Sequence, residues 1–230
     1  MKETAIIIPN YNGMQYLETC LSSLEKQTCR EFTIYLVDNG STDQSRSYVS
    51  AHFPEVQWIQ LDQNYGFSRA VNEGIRRTRE PYVILLNNDT QAEERFVEEM
   101  LEGIRRHPKA FSAGAKMLSW QERDKIDDAG NYYNMLGWAF ARGKGKPETG
   151  YQKEQKVFAA CEEAPGHRYL FLTKNILPIW KIWISATAPG SLGMRTGFCR
   201  GQGFTMWAAE PAVPDTICSR SGILPETMFI

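Results

Sequence analysis

The sequence predicts an α/β fold: a mainly parallel sheet covered by helices, followed by an irregular C-terminal tail. Three observations predict it. Runs such as Thr4-Ala5-Ile6-Ile7-Ile8-Pro9 and Tyr82-Val83-Ile84-Leu85-Leu86-Asn87 are almost continuously apolar, as strands buried on both faces are. Segments of helical period separate these runs through residue 118, the alternation that builds βαβ units. Polar clusters follow several runs, at the carboxyl edge of the expected sheet, where open α/β folds bind ligands.

The elements follow in order. The first strand, Thr4 to Pro9, is closed by a proline that cannot continue a ladder. Asn10-Tyr11-Asn12-Gly13 is a loop, and Tyr16, Leu17, Cys20, Leu21 and Leu24 recur at helical spacing to about Gln27. Phe32 to Val37 is a strand with Asp38 at its end. Asn39-Gly40-Ser41-Thr42-Asp43 then turns into a helix, Gln44 to His52, capped by a Ser, Thr or Asp of that run. Val56 to Leu61 is the third strand. Asn64-Tyr65-Gly66-Phe67-Ser68-Arg69 leads into a helix through Ala70, Val71 and Ile75, with Ser68 as the expected cap. Tyr82 to Asn87 is the central strand, Glu93 to His107 an amphipathic helix ended by Pro108, and Ala110 to Leu118 a fifth strand. The expected organisation is a βα domain over 1–118, an extension over 119–161 and an atypical tail over 162–230.

Composition narrows the function classes. With 42% hydrophobic and 23% charged residues, the 230-residue chain has ordinary globular usage. A formal charge of −1 supplies no field for nucleic acid, and Arg76, Arg77 and Arg79 read as a solvated helix face. Five scattered cysteines without a Cys-x-x-Cys pair suggest a reduced, cytoplasmic protein. No signal peptide is expected before the first strand, and no apolar stretch reaches the ~18 residues of a spanning helix. His52, His107 and His167 are isolated and do not read as a zinc set.

The chemistry gathers at strand ends. Asn87-Asn88-Asp89 offers oxygen donors with one carboxylate, a set that suits a hard divalent cation sharing a diphosphate, although the same residues also make ordinary turns. No Gly-x-Gly-x-x-Gly follows the first strand, and no Walker-type loop is present, so a glycine cradle for phosphate is lacking. A nucleotidyltransferase would want a Gly-Gly-x-Gly start, also missing. A metal therefore has to meet most of the diphosphate charge, with Asp89 as its best-placed ligand. The loop Arg142-Gly143-Lys144-Gly145-Lys146 reads as a solvated connection in preference to a phosphate or acceptor contact.

Four motifs in sequence resemble the family 2 glycosyltransferases of the GT-A fold: Ile6 to Gly13, Leu36 to Asp43, Asn64 to Gly74, and Leu85 to Thr90. The likeness continues more weakly through Ile126-Asp127-Asp128-Ala129-Gly130 to about Cys161, in the manner of bacterial rhamnosyltransferase-like members. It implies a UDP- or dTDP-linked sugar donor, a Mg²⁺ or Mn²⁺ ion, inverting transfer to a cell-surface polysaccharide or lipid-linked acceptor, and work at the inner face of the membrane with peripheral association. By resemblance Tyr11 packs on the pyrimidine, Pro9 shapes that pocket and Asp38 accepts a hydrogen bond from the base. Asn64 and Gly66 belong to the same nucleotide-binding set, Arg69 lies near base or phosphates, Asn88 near the ribose, and Asp89 on the metal. Each residue also has a bland reading: Tyr11 as a packed loop aromatic, Asp38 and Asp43 as caps, Asn64-Tyr65-Gly66 as a tight turn.

The chain departs from the family where the catalytic base is expected. Beyond Cys161 the acids are Glu162, Glu163, Glu210, Asp215 and Glu226, and they form no acidic motif of the family's kind. Six of eleven prolines and three of six tryptophans lie in that stretch. We expect a tail translated out of frame or otherwise replaced, which makes a non-catalytic nucleotide-sugar-binding remnant the alternative to an active enzyme.

Overall fold

The computed structural model describes residues 2–107, 110–133, 139–156, 169–173, 195–198 and 206–208. Strand β1 (Thr4–Asn10) leads through helix α1 (Met14–Glu25) to β2 (Phe32–Asp38), and α2 (Ser45–His52) leads to β3 (Gln57–Gln60). Helix α3 (Phe67–Arg77) precedes β4 (Tyr82–Leu86) and β5 (Thr90–Ala92), and α4 (Phe96–Arg106) precedes β6 (Ala110–Gly114) and β7 (Met117–Ser119). Short strands follow: β8 (Ile126–Asp128), β9 (Asn131–Tyr133), β10 (Ala139–Ala141), β11 (Gln155–Lys156), β12 (Tyr169–Thr173), β13 (Arg195–Phe198) and β14 (Met206–Ala208).

The main sheet has eight strands in the order β11-β13-β6-β12-β4-β1-β2-β3. Strands β4, β1, β2 and β3 are parallel neighbours, whereas β12 runs antiparallel between β4 and β6. A second sheet takes the order β5-β14-β7-β8, so it draws strands from both sides of residue 118, and β9 pairs antiparallel with β10.

The unbroken apolar character of β1 has a direct cause. Ile6 and Ile8 face one layer, packed with Leu17, Leu21 and Leu24 of α1 and Phe96, Val97 and Met100 of α4. Ala5 and Ile7 face the other, packed with Ala70, Val71 and Ile75 of α3. Helix α3 comes close because Gly74 has no side chain; a Cβ there would lie 2.6 Å from Ile7 Cγ2. Both faces are covered, as a parallel sheet requires.

Four local expectations need correction. Strand β1 continues past Pro9 to Asn10; its ladder with β4 ends at Ile7, so the missing proline N–H falls at a strand end, where it costs little. The stretch from Ala110 to Leu118 is two strands, because the chain leaves the main sheet at Ala115 and Lys116 and β7 joins the second. Ser68 lies inside α3 and does not cap it; the helix is entered through Gly66 at φ 83, and Asn64 Oδ1 accepts the Gly66 N–H at 2.9 Å. Helix α4 begins at Phe96, after a turn closed by Phe96 N–H to Glu93 O.

Arg76 and Arg77 both pair with Glu73 and remain half-exposed, as a solvated face should. The Arg142 to Lys146 loop is a turn with Gly143 and Gly145 at positive φ, closed by Lys146 N–H to Gly143 O. Among the described residues of the expected irregular tail are the strands β12, β13 and β14; Cys161, His167 and the five acids beyond Cys161 lie outside the described residues, and so does the out-of-frame expectation itself.

Candidate functional site

The parallel register builds the site. Asn10 of β1 pairs with Asp38 of β2, and Asp38 pairs with Gln60 of β3. The offset that pairs Ile7 with Leu85 brings Asn10 level with Asn88, just past the end of β4. Four polar residues thus form one row across the carboxyl edge, and they are joined in series. Gln60 Nε2 donates to Asp38 Oδ2 at 2.7 Å, Asn10 Nδ2 donates to Asp38 Oδ1 at 3.0 Å, and Asn88 Nδ2 donates to Asn10 Oδ1 at 2.7 Å.

Loops lock onto this row. Ser41 N–H donates to Asp38 Oδ2 at 2.9 Å, and Ser41 Oγ accepts from Asn12 N–H at 2.9 Å. Asn12, at φ 48, accepts Thr42 N–H on its side-chain oxygen at 2.8 Å. Asp43 takes Met14 N–H at 3.0 Å and Ser45 N–H at 3.1 Å, so one carboxylate serves the first turns of α1 and α2. Burial works to raise the Asp43 pKa, but the hydrogen bonds from Ser45 and Met14 prevail and hold it below the ordinary aspartate value.

The third loop is docked by Asn39. Its Nδ2 donates to Asn64 Oδ1 at 2.8 Å, and its Oδ1 accepts Tyr65 N–H at 2.9 Å. Gly40, at φ 78, lets this loop approach; a Cβ there would sit 2.7 Å from Gln63 backbone atoms. Arg69, exposed at the start of α3, stacks its guanidinium 3.6 Å over the Tyr65 ring.

The residues that the resemblance assigns to nucleotide and metal all fall among the described residues. Pro9 is half-buried, and Tyr11, flanked by the pinned Asn10 and Asn12, presents a ring that is 50% exposed. A half-exposed ring on a fixed loop is a surface on which a planar base can stack. Asp38 is only 1% exposed and already holds three donors, leaving about one of its roughly four lone-pair positions for a ligand. Asn64 and Gly66 meet the Asp38 region through Asn39, and Arg69 meets it through Tyr65. Asn88 and Asp89 occupy the turn beside Asn10. Sequence reasoning assigned no role to Asn12, Asn39 or Gln60, placed Asn10 only at the carboxyl edge and took Ser41 only as a cap candidate; register arithmetic across parallel strands was the signal for the Asn10 and Gln60 contacts.

The cation expected at Asp89 can be tested against the donors present. Among the described residues no three His, Cys, Asp or Glu side chains are gathered. At the turn the candidate donors are the Asp89 carboxylate and the oxygens of Asn87 and Asn88, a set whose hard chemistry suits Mg²⁺ or Mn²⁺ were diphosphate and water to complete the shell. The nearby thiol is no competitor. Burial pushes Cys20 up to about 12, the Asp89 carboxylate adds to the rise and Thr90 offsets part of it, so no soft thiolate is offered. Cys20 Sγ instead lies 3.7 Å from Asn87 O, and Thr90 Oγ1 donates to the same carbonyl at 2.7 Å.

The chain is similar to a teichoic acid poly(glycerol phosphate) polymerase of Staphylococcus epidermidis, 30% identical over 95 residues, which are 40% of this chain and 13% of that one. It is similar to the glycosyltransferase GlyG of Streptococcus pneumoniae, 28% identical over 133 residues, 56% of this chain and 39% of that one. Its fold matches S. aureus TarS 1–349 in complex with UDP-GlcNAc at a TM-score of 0.65 and 17% identity, over 92% of this chain and 60% of that one. The chain therefore spans less than two thirds of each of these proteins. The profile described as Glycosyl transferase family 2 matches residues 5–172, past Cys161 and through nearly all of β12. With that match over most of its length, and with the GT-A sheet that carries it, the chain belongs to glycosyl transferase family 2.

Proposed function

We propose that this chain binds a nucleoside-diphosphate sugar, with UDP as the leading nucleotide, and transfers a hexosyl or deoxyhexosyl group with inversion to a cell-wall or cell-surface glycan acceptor. The observation that carries the reading is the row Gln60-Asp38-Asn10-Asn88, which fixes the ends of β3, β2, β1 and β4 as one rim and sets Asp89 beside it. The relatives support the acceptor class through the teichoic acid polymerase, and the structural neighbour supports the donor through its bound UDP-GlcNAc.

Each residue has a task in this reading. Tyr11 stacks on the base, Asp38 holds the base-side loops and reaches the base with its remaining lone pair, and Arg69 brings positive charge toward base or phosphate. Asp89 would hold Mg²⁺ or Mn²⁺, and the bound cation supplies positive charge to the departing diphosphate. The bond from anomeric carbon to diphosphate oxygen breaks as the acceptor oxygen bonds to that carbon. The acceptor proton must pass to a base, a role to which no described residue is assigned. The missing acidic motif favours a second reading in which the chain binds donor without turning it over.

Work at the inner face of the cytoplasmic membrane belongs to the same proposal; among the described residues no helix is long and apolar enough to cross a membrane. Titration calorimetry with UDP, dTDP and GDP, with and without MnCl₂, tests the binding step. UDP should bind more tightly with Mn²⁺, and Asp89→Ala should remove the Mn²⁺ enhancement; a chain that binds none of the three nucleotides sinks the reading. Release of sugar from UDP-GlcNAc then separates the two versions, the remnant giving binding without hydrolysis or transfer.

A further inference from the structure

The carboxamide of Asn10 stands at the centre of the polar row. It is 2% exposed, so it cannot exchange its partners for water. Its two ends are used with fixed polarity. Nδ2 faces the Asp38 carboxylate at 3.0 Å and Ser41 Oγ at 3.3 Å, and Oδ1 accepts from Asn88 at 2.7 Å. A carboxylate acceptor on one side and an amide donor on the other leave one favourable orientation for the group. The amide is the link between the base-side network and the turn that carries Asp89.

Gly13 gives an independent reason to see this bridge as built. A Cβ on Gly13 would lie 2.1 Å from Asn88 Nδ2 and 2.5 Å from Asn10 Oδ1, on top of the hydrogen bond between them. The Gly13 backbone, at φ −105 and ψ 22, is open to residues with side chains, so backbone freedom does not demand glycine there. What the position requires is space above the bridge.

We propose that Asn10 is a positioning residue that couples nucleoside recognition on the β1–β2 side to cation and diphosphate binding at Asp89. The inference rests on the donor-binding reading above and adds a residue to it. With the bridge intact, seating the base holds Asn88, and with it the neighbouring Asp89, where a cation and diphosphate are met together. With the bridge opened, the two halves bind separately and the cation no longer strengthens nucleotide binding.

The test is UDP titration of the full chain with and without MnCl₂, in the wild type, Asn10→Ala and Gly13→Ala. The readout is the factor by which Mn²⁺ tightens UDP binding, which is the coupling itself and which loss of stability alone does not move. In Gly13→Ala that factor should fall by about tenfold, while UDP affinity without metal changes by less than about threefold. Asn10→Ala should lower the factor at least as far. Gly13→Ala keeps every buried polar group, so it decides the matter if Asn10→Ala does not fold. A wild type with Mn²⁺ enhancement that both variants retain to within about twofold overturns the bridge and leaves the transferase reading standing. A wild type that binds no UDP, dTDP or GDP overturns the transferase reading, and the coupling with it.

Discussion

The two ends of the polar row are built differently. At the β1–β2–β3 end, the carboxylate of Asp38 is enclosed by donors from Asn10, Ser41 and Gln60, and three loops are sewn together through Asn12, Asp43 and Asn39. At the β4–β5 end a four-residue turn, Asn87 to Thr90, carries one carboxylate and reaches the rest through the Asn88–Asn10 bond and the Cys20 and Thr90 contacts to Asn87 O. The first end is preorganised by the protein. The second carries one carboxylate, which under the proposed function would meet a cation already paired with diphosphate.

The largest effect should come from exchanging the acids at the two ends. Asp38→Ala strands three donors around a buried position, and breaking such a charge-assisted cluster costs about 3–5 kcal/mol. Asp89→Ala should cost no more than about 1 kcal/mol, because it empties a half-buried turn position and not a core. Urea unfolding of the two variants measures the difference directly. Equal losses would mean that both ends are scaffold, and the contrast would be gone.

How much of this was legible in the sequence follows from the range of each interaction. The β1 and β4 runs announced themselves because both faces are buried, and Asp43 was visible as a cap candidate two residues before Ser45. The break between β6 and β7 was hidden in an apolar run whose one polar residue after Ser112 is Lys116. That lysine is 7% exposed, its pKa is lowered by burial, and its Nζ reaches Glu148 O at 3.3 Å, a partner 32 residues away. The entry to α3 misled because a serine was present, whereas the backbone at Gly66 set the start. The Asn10–Asn88 bond spans 78 residues; it follows from strand register and from nothing local.

A smaller effect probes the sewing at the first end. Asp43→Ala removes the acceptor for Met14 and Ser45 N–H, the cap-like contacts of α1 and α2, at a cost of about 1–2 kcal/mol. The sign with pH is set by the lowered Asp43 pKa. The folded state favours the ionised form, so the stabilisation is present above the ordinary aspartate value and disappears as pH falls through the lower folded value. The gap between wild type and Asp43→Ala should therefore be full near neutrality and close below about pH 4. A gap that holds constant through acid would assign the contacts to packing instead of charge.

The smallest expected effect concerns the second end and the thiol packed under it. Cys20 is fully buried, and burial together with Asp89 pushes its pKa up to about 12, whereas Cys29 is half-buried. The Cys20 thiol therefore stays protonated at neutral pH and is a poor nucleophile. Iodoacetamide should then label Cys29 at least about 100-fold faster than Cys20, as peptide mapping by mass spectrometry can read. Cys20 Sγ lies against Asn87 O and within the core beneath α1, so its labelling rate reports opening of that region. If Cys20 reacts as fast as Cys29, the region around α1 and the Asn87 to Thr90 turn opens readily. If Cys20 stays protected without nucleotide or metal, the second end is ordered before binding.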